Sequence, residues 1–197
     1  MGKIWAVILA AGESKRMKVP KMLLPFNGIT MIEKVIQNIL NSEVFNILVV
    51  LGCYRNEISA VIDNLPVIKC LNDDYREGML SSVKCGLRNL PDDAEAVMIF
   101  PGDQPLIEPE VTNRIIECYR QSGKGIVIPV HRNRRGHPLL FDSEFIETVL
   151  SLGKNDMLSS FIKEHRNDVK EIRVNSPGIL KDFDTKEDYL NEIYQNK

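Results

Sequence analysis

Apolar and polar positions along this chain follow two different periods. Short aliphatic, β-branched runs, Ile4–Leu9, Ile47–Leu51, Val67–Leu71, Val97–Phe100 and Ile126–Val130, are bounded by turn residues and predict strands, the first of them buried. Between the first two, Met31, Ile32, Val35, Ile36, Ile39 and Leu40 recur at helical spacing. Thr30 and Glu33 form the capping-box pattern of a helix start there. Val111, Ile115 and Ile116 mark one face of a second helix over Glu108–Tyr119. Two helical segments in succession, Asp142–Leu152 and Asp156–His165, a strand near Val169–Val174 and a helix beginning near Thr185 complete the pattern. Strands separated by helices imply right-handed βαβ crossovers. The expected fold class is therefore α/β: a Rossmann-like, mostly parallel sheet with helices on both faces. No repeat, low-complexity tract or linker interrupts it, so the expectation is a single domain over residues 1–197.

In such a sheet, ligands gather beyond the carboxyl ends of the strands, so the residues following each strand carry the chemistry. The first strand runs into Leu9-Ala10-Ala11-Gly12-Glu13-Ser14-Lys15-Arg16-Met17, and the loop closes with Pro20-Lys21. Ala10, Ala11 and Gly12 let the backbone approach a planar base and sugar that a larger side chain would push away. Turn amides there can point at phosphate oxygens, and Arg16 and Lys21 bring positive charge to a polyphosphate. The string is neither a Walker P-loop nor G-x-G-x-x-G. At the same sheet edge, the strand Val97–Phe100 is followed by Pro101-Gly102-Asp103-Gln104-Pro105. A lone carboxylate in a Gly/Pro turn reads as a turn former. Beside a triphosphate it also suits Mg²⁺, which binds through one or two carboxylates plus substrate phosphates.

The order L-A-A-G-x-S-x-R-M…P-K resembles the signature of the MobA-like NTP-transferase family, nucleotidyltransferases that handle molybdenum cofactor. The G-D-Q-P string matches that family's metal-binding motif, which implies Asp103 as a metal ligand. Lys181-Asp182-Phe183-Asp184-Thr185-Lys186-Glu187-Asp188 resembles the family's D-x-D-T-x-E-D string and implies Asp184, rather than Asp182, as the second Mg²⁺ ligand. By pattern alone, Thr185 with Asp188 is also a helix cap. Asn72 to Val83 resembles the N…G-M-S-S-S block, so Gly78, Ser81 and Ser82 would offer amides and hydroxyls to an anion or to the base and ribose. An ordinary N-terminal cap is the plain reading of the same residues. Arg134 to Phe141 resembles the R-G-H-P segment, where Arg135 and His137 would meet the acceptor's phosphate or pterin. Two positions depart from the pattern. Leu80 stands where the family often has Ser, and Lys18 where it usually has Gly after Arg-Met, so its side chain would tighten or redirect the loop.

The matches run in the family's order from Leu9 to Asp188. They imply a fold of the nucleotide-diphospho-sugar transferase type and a Mg²⁺-dependent enzyme that joins a nucleoside monophosphate to an acceptor phosphate and releases pyrophosphate. Arg16, Lys21 and Asp103 would carry catalysis. Leu9, Ala10, Ala11, Gly12 and Gly52 would border the nucleotide, and Asp103 and Asp184 would hold the metal. Ala11, making L-A-A-G rather than L-A-G-G, is the form associated with cytidylyl transfer. It points to CTP and molybdopterin cofactor as substrates, with the cytosine dinucleotide form as product. Two alternatives stand: a nucleotidyltransferase with another acceptor, such as a sugar phosphate or isoprenoid-pathway phosphate, and a non-catalytic accessory protein. The latter would deliver the finished cofactor to a molybdenum hydroxylase or dehydrogenase client.

Charge and cysteines narrow the partners. A net charge of −2 argues against general nucleic-acid binding. The basic clusters Lys15, Arg16, Lys18, Lys21 and Arg132, Arg134, Arg135 suit small polyanions, although the second also reads as a solvated loop. Cys53, Cys70, Cys85 and Cys118 lack C-x-x-C spacing and read as reduced small hydrophobes. With three scattered histidines they make no zinc pattern. No apolar run approaches the ~20 residues of a membrane span. Met1-Gly2-Lys3 leads straight into a strand, without a signal peptide, and Ala6 stands where a myristoylation signal needs Ser or Thr. The expected setting is cytoplasmic, away from membranes.

Overall fold

The computed structural model of the protein describes residues 2–195. In chain order the elements are β1 (Ile4–Ala10), β2 (Pro25–Phe26), β3 (Ile29–Thr30), α1 (Met31–Leu40), β4 (Asn46–Leu51), α2 (Arg55–Val61), β5 (Ile68–Leu71) and α3 (Met79–Arg88). There follow β6 (Ala96–Pro101), α4 (Pro109–Ser122), β7 (Ile126–His131), β8 (Arg134–Arg135), β9 (Leu139–Asp142), α5 (Ile146–Ser151), α6 (Leu158–Glu164), β10 (Val169–Arg173) and α7 (Lys186–Gln195). The main sheet has the order β10-β7-β9-β6-β1-β4-β5, with β8 paired to β7, and β2 and β3 form a separate hairpin. Pairing is parallel except where β9 lies between β6 and β7 and where β8 joins β7.

The period of two along each strand sorts the core into two layers. Ile4, Ala6, Ile8 and Ala10 of β1 pack with the inner faces of α1, α2 and α4, while Trp5, Val7, Leu9 and Ala11 pack with α3, α5 and α6. Both layers are needed, because β1 is buried from end to end and its strand has no polar residue to present to water. In α1 the capping box is present: Glu33 N donates to Thr30 Oγ1 at 3.4 Å, and Thr30 N donates to Glu33 Oε2 at 2.8 Å. That cap contributes about 1 kcal/mol. Ile32, Val35, Ile36 and Ile39, all nearly inaccessible, contribute roughly 1.5–3 kcal/mol each, so packing outweighs capping.

Three features differ from the sequence reading. The helix expected from Asp142 begins later, because Leu139–Asp142 is a strand inserted antiparallel between β6 and β7. Asp142 ends that strand and turns the chain: its Oδ1 accepts from Glu144 N at 2.9 Å, and its Oδ2 accepts from the Tyr119 hydroxyl at 2.5 Å. A tight turn, Ser143–Phe145, precedes α5. Neither α2 nor the β2–β3 hairpin was anticipated. All four cysteines are free. Cys70 and Cys85 face each other with sulfurs 3.8 Å apart, and burial, reinforced by Cys85, pushes the Cys70 thiol up to about 12. Among the described residues, no helix is long and apolar enough to cross a membrane.

Candidate active site

The exits of β1, β4 and β6 meet because two glycines let backbones touch. Gly102 N donates to Leu9 O at 3.1 Å, and a Cβ at position 102 would lie 2.9 Å from that oxygen. Cys53 N donates to Ala11 O at 3.1 Å, and a Cβ on Gly52 would lie 2.6 Å from the same carbonyl. A larger residue at 52 would push the exit of β4 off Ala11, and one at 102 would carry Asp103 away from the loop after β1. Ala10 and Ala11 are buried on opposite faces of the sheet, and Gly12 is exposed beyond them.

That loop is held by its own backbone. Met17 N and Lys18 N both donate to Ser14 O at 3.0 Å, and Ser14 Oγ accepts from Lys21 N at 3.2 Å, tying the two ends together. Lys18 has a φ of +56°, in the left-handed region where a side chain costs energy and glycine does not. This explains physically why a glycine suits that place.

Lys21 opens a short turn, Lys21–Leu23, and its ammonium is paired with Asp103 and, at 3.0 Å, with Asp184. Arg16, exposed, pairs with Asp184 from the outer side. The chain thus gathers two cations and two carboxylates from positions as much as 168 residues apart. Burial works against the charge on Lys21, but the two carboxylates outweigh it and hold its pKa above the usual lysine value. Asp184 is likewise opposed by burial, yet Lys21 and Arg16 keep its carboxyl below the usual range. Asp184 is fixed from both sides: Phe183 is fully buried against Phe26, and Thr185 and Asp188 form a reciprocal cap on α7. Asp182 is exposed.

Asp103 and Asp184 share one ammonium, so both already converge on a cation position. That donor set fits a divalent ion that takes its remaining ligands from phosphate and water. Among the described residues, no cluster of three or more His, Cys, Asp or Glu side chains stands ready to form a closed cage. Gln104, beside Asp103, is buried and its Oε1 accepts no hydrogen bond from the described residues. An acceptor in that state suits a donor brought by a ligand. Nothing local in the sequence marks Gln104 for this, because only the fold buries it.

Next to this charged cluster lies a cavity of about 570 Å³. Leu9, Ile99, Ile128 and Leu139 form its floor from four neighbouring strands, and Leu158 and Ile162 of α6 form a wall. Gly78, Met79 and Leu80 enter at the start of α3, and Arg135 of β8 and His137 just after it border the cavity. Its polarity follows from the fold: the strand residues facing the α3–α5–α6 layer are apolar, and those that border the cavity are themselves nearly closed to water. His137 N donates to Ile179 O at 3.0 Å. Burial lowers its imidazole pKa below the ordinary value, opposed by Asp103 and Asp182. Pro101 lines the cavity and stands two residues before Asp103, so cavity and charged cluster sit at the same strand ends.

Of the residues singled out from sequence, Arg16, Lys21, Asp103 and Asp184 come together directly. Leu9, Gly78, Arg135 and His137 line the cavity, with Arg135 Nε donating to Glu171 at 2.7 Å. Ser81 and Ser82 are turned to the chain's own use. Asn72 Nδ2 donates to their hydroxyls at 2.9 and 3.0 Å, and Ser82 is buried. Lys154, Met157 and Leu158 of the cavity wall have no local signal in the sequence, since a lone Lys, Met or Leu between or at the start of helices suits a solvated or packed position equally.

Comparison with known proteins fits this geometry. Residues 6–169 match the MobA-like NTP transferase domain. The chain is 27% identical over 192 residues to the molybdenum cofactor cytidylyltransferase of Escherichia coli (strain K12), covering 96% of this chain and 95% of that protein. It is also 25% identical to the bifunctional protein GlmU of Trichodesmium erythraeum (strain IMS101), of which it spans only 44%. Among solved structures, the homolog of Mycobacterium tuberculosis Rv0371c from Mycobacterium sp. strain JC1 superposes with a TM-score of 0.87 at 28% identity, covering 98% of this chain and 96% of that one. Rv0371c of Mycobacterium tuberculosis H37Rv, solved in complex with manganese, superposes with a TM-score of 0.80 at 22% identity, over 96% of this chain and 97% of that one. Sheet order, loop chemistry and these matches agree that the chain belongs to the MobA-like NTP transferase family of nucleotidyltransferases.

Proposed function

We propose that this nucleotidyltransferase transfers CMP from CTP to the phosphate of molybdopterin cofactor, forming the cytosine dinucleotide and releasing pyrophosphate. The observation that carries this reading is the cluster of Lys21 and Arg16 with Asp103 and Asp184, set where β1 and β6 end beside the cavity. The cytidylyltransferase relative supports the choice of CTP and acceptor. Ala11 supports it as well, as the L-A-A-G form of the loop.

In this reading an acceptor phosphate oxygen attacks the α-phosphorus, a new P–O bond forms, and the bond to the β-phosphate oxygen breaks. The acceptor is already an oxyanion, so the chain needs no activated Ser, Cys or His; its work is alignment and charge neutralisation. Leu9 to Gly12 and Gly52 shape the seat of the base. Arg16 and Lys21 neutralise the triphosphate and the departing pyrophosphate. Lys21 is held charged at neutral pH, so it enters the reaction as a cation. Asp103 and Asp184 would hold Mg²⁺, which when bound supplies Lewis-acid charge to the phosphates; the manganese complex of the Rv0371c structure supports a divalent ion in this fold. Arg135 and His137 lie on the acceptor side.

The test is pyrophosphate release with Mg²⁺ and molybdopterin cofactor, comparing CTP, GTP, ATP and UTP. Release with CTP alone, with a cytidylylated pterin detected by mass spectrometry, is the expected result. Silence with all four nucleotides, using competent cofactor, would shift the reading to another acceptor or to a delivery role.

A further inference from the structure

The basic residues that follow β7 part company once the chain is folded. Arg135 lines the cavity already described, whereas Arg132 borders a second pocket, of about 590 Å³. Arg114, His131, Arg132, Asn133, Arg173 and Asn175 form its polar lining, and no carboxylate borders it, although the protein carries a net charge of −2. This pocket lies on the α4 side of the sheet. Val127 packs in the α1–α2–α4 layer, and His131, an even number of residues along the same strand, shares its face. The cavity floor, with Leu9, Ile99, Ile128 and Leu139, belongs to the opposite layer.

The cations of this pocket have no acidic partners. Arg114 Nη2 donates to Arg173 O at 2.8 Å, so a neutral carbonyl anchors the guanidinium and leaves its charge uncompensated. None of Arg114, Arg132 and Arg173 forms an ion pair with a described residue. Acidic residues of the same elements do not border the pocket: Glu171 pairs with Arg135, Glu117 accepts from Gln121, and Glu110 stands apart from the lining. His131 is buried, and its Nδ1 lies 3.1 Å from Val174 O, an acceptor only, so Nδ1 carries the proton. Its Nε2 has no hydrogen bond to a described residue and is not sealed from solvent. Arg132 and Asn133 make the two-residue turn between β7 and β8, with φ of +50° and +63°. Asn or Gly ordinarily fills the first of these places; arginine there sets a charge on the rim against a backbone cost.

We propose that this pocket is a binding site for a diphosphate group, separate from the nucleotide site. Guanidinium groups meet phosphate oxygens with paired donors, the asparagine amides add neutral ones, and Nε2 of His131 accepts from the hydroxyl of a hydrogen diphosphate. Charge selects diphosphate over a single phosphate, because unpaired arginines on one concave surface repel one another until an anion of matching charge lies among them.

The test is titration of the full chain with pyrophosphate, without divalent metal and at constant ionic strength, followed by NMR at the His131 ring and the side-chain amides of Asn133 and Asn175. Saturating shifts at these residues are expected, with orthophosphate and sulfate at least about tenfold weaker. Cytidine diphosphate is titrated in parallel: tighter binding than pyrophosphate at the same resonances identifies a nucleoside diphosphate as the source, and equal or weaker binding identifies the free anion. Arg132→Asn removes the charge and places a residue suited to the left-handed turn. It is expected to weaken pyrophosphate about tenfold while the melting temperature does not fall. Arg114→Gln should weaken pyrophosphate similarly, with CTP binding unchanged in both variants. Absence of shifts at the three residues, equal affinity for the three inorganic anions, or unchanged pyrophosphate affinity in both variants would overturn the proposal. None of these outcomes touches the nucleotidyltransfer reading, which stands or falls on pyrophosphate release from CTP.

Discussion

The charged cluster and the cavity next to it both lie at the exits of β1 and β6, yet their physical character is opposite. In the cluster, Lys21 and Asp103 are nearly closed off, with side chains 14% and 13% exposed, so each charge depends on its partner and little water screens the pairing. In the cavity, the cations Arg135 and Lys154 are exposed and their ion pairs are screened by water, and the floor is aliphatic. The difference teaches how labour is divided. Fixed, poorly screened charges suit the handling of phosphates, whereas the neighbouring cavity presents shape and apolar surface. A change on the charged side should alter rate, and a change on the apolar side should alter partner.

The largest expected effect comes from removing a carboxylate. Asp103→Ala should lower turnover by about a thousandfold, since metal-assisted charge stabilisation is worth several kcal/mol and each 1.36 kcal/mol is tenfold in rate. The fold should persist by circular dichroism; a folded variant that keeps its activity would remove Asp103 from the metal site. Lys21→Ala should cost roughly a hundredfold in kcat/KM, the scale of losing one fixed transition-state donor. It should also let the Asp184 carboxyl climb back toward the ordinary range, which a pH titration by NMR can follow. Retained low pKa at Asp184 would show that Arg16 alone supports it.

A smaller effect lies on the border between the two regions. Burial holds the His137 pKa below its unfolded value of about 6.5, so the fold favours the neutral ring. The unfolded chain therefore binds the extra proton first as the solution is acidified. Stability contributed by this group is complete above pH ~6.5 and is lost as pH falls through the lowered folded value. Urea midpoints measured from pH 7.5 to 5 should show the loss, and His137→Asn should flatten that part of the profile. The smallest effect is at the loop. Lys18→Gly relieves a left-handed side-chain conformation and should raise stability by about 0.5–1 kcal/mol, a few degrees in melting temperature at most. A lower melting temperature would mean that the Lys18 side chain contributes more than its backbone costs.

Local periodicity and capping were legible in the sequence because their causes lie within a few residues. β1 is a continuous apolar run, α1 carries its cap and its apolar stripe in ten residues, and Thr185 and Asp188 close their own helix start. The alternation of strands and helices also implied the parallel sheet and the edge where a site would form. β9 was not legible, since Leu139–Asp142 is only four residues long and becomes a strand because β6 and β7 leave a gap for it. The roles of Ser81 and Ser82 were open for a similar reason: only the fold brings Asn72 to both hydroxyls.

The sequence alone determined which residues could carry charge, approach a nucleotide or start a helix, because those properties belong to side chains and their near neighbours. Only the tertiary structure decided that Lys21 meets Asp103 and Asp184, 82 and 163 positions away, and that Met79 and Met157 share one opening. The physical reason is the sheet. Parallel strands align their carboxyl ends in space whatever their separation along the chain, so the site is a property of strand order and loop exits that no short stretch of residues contains.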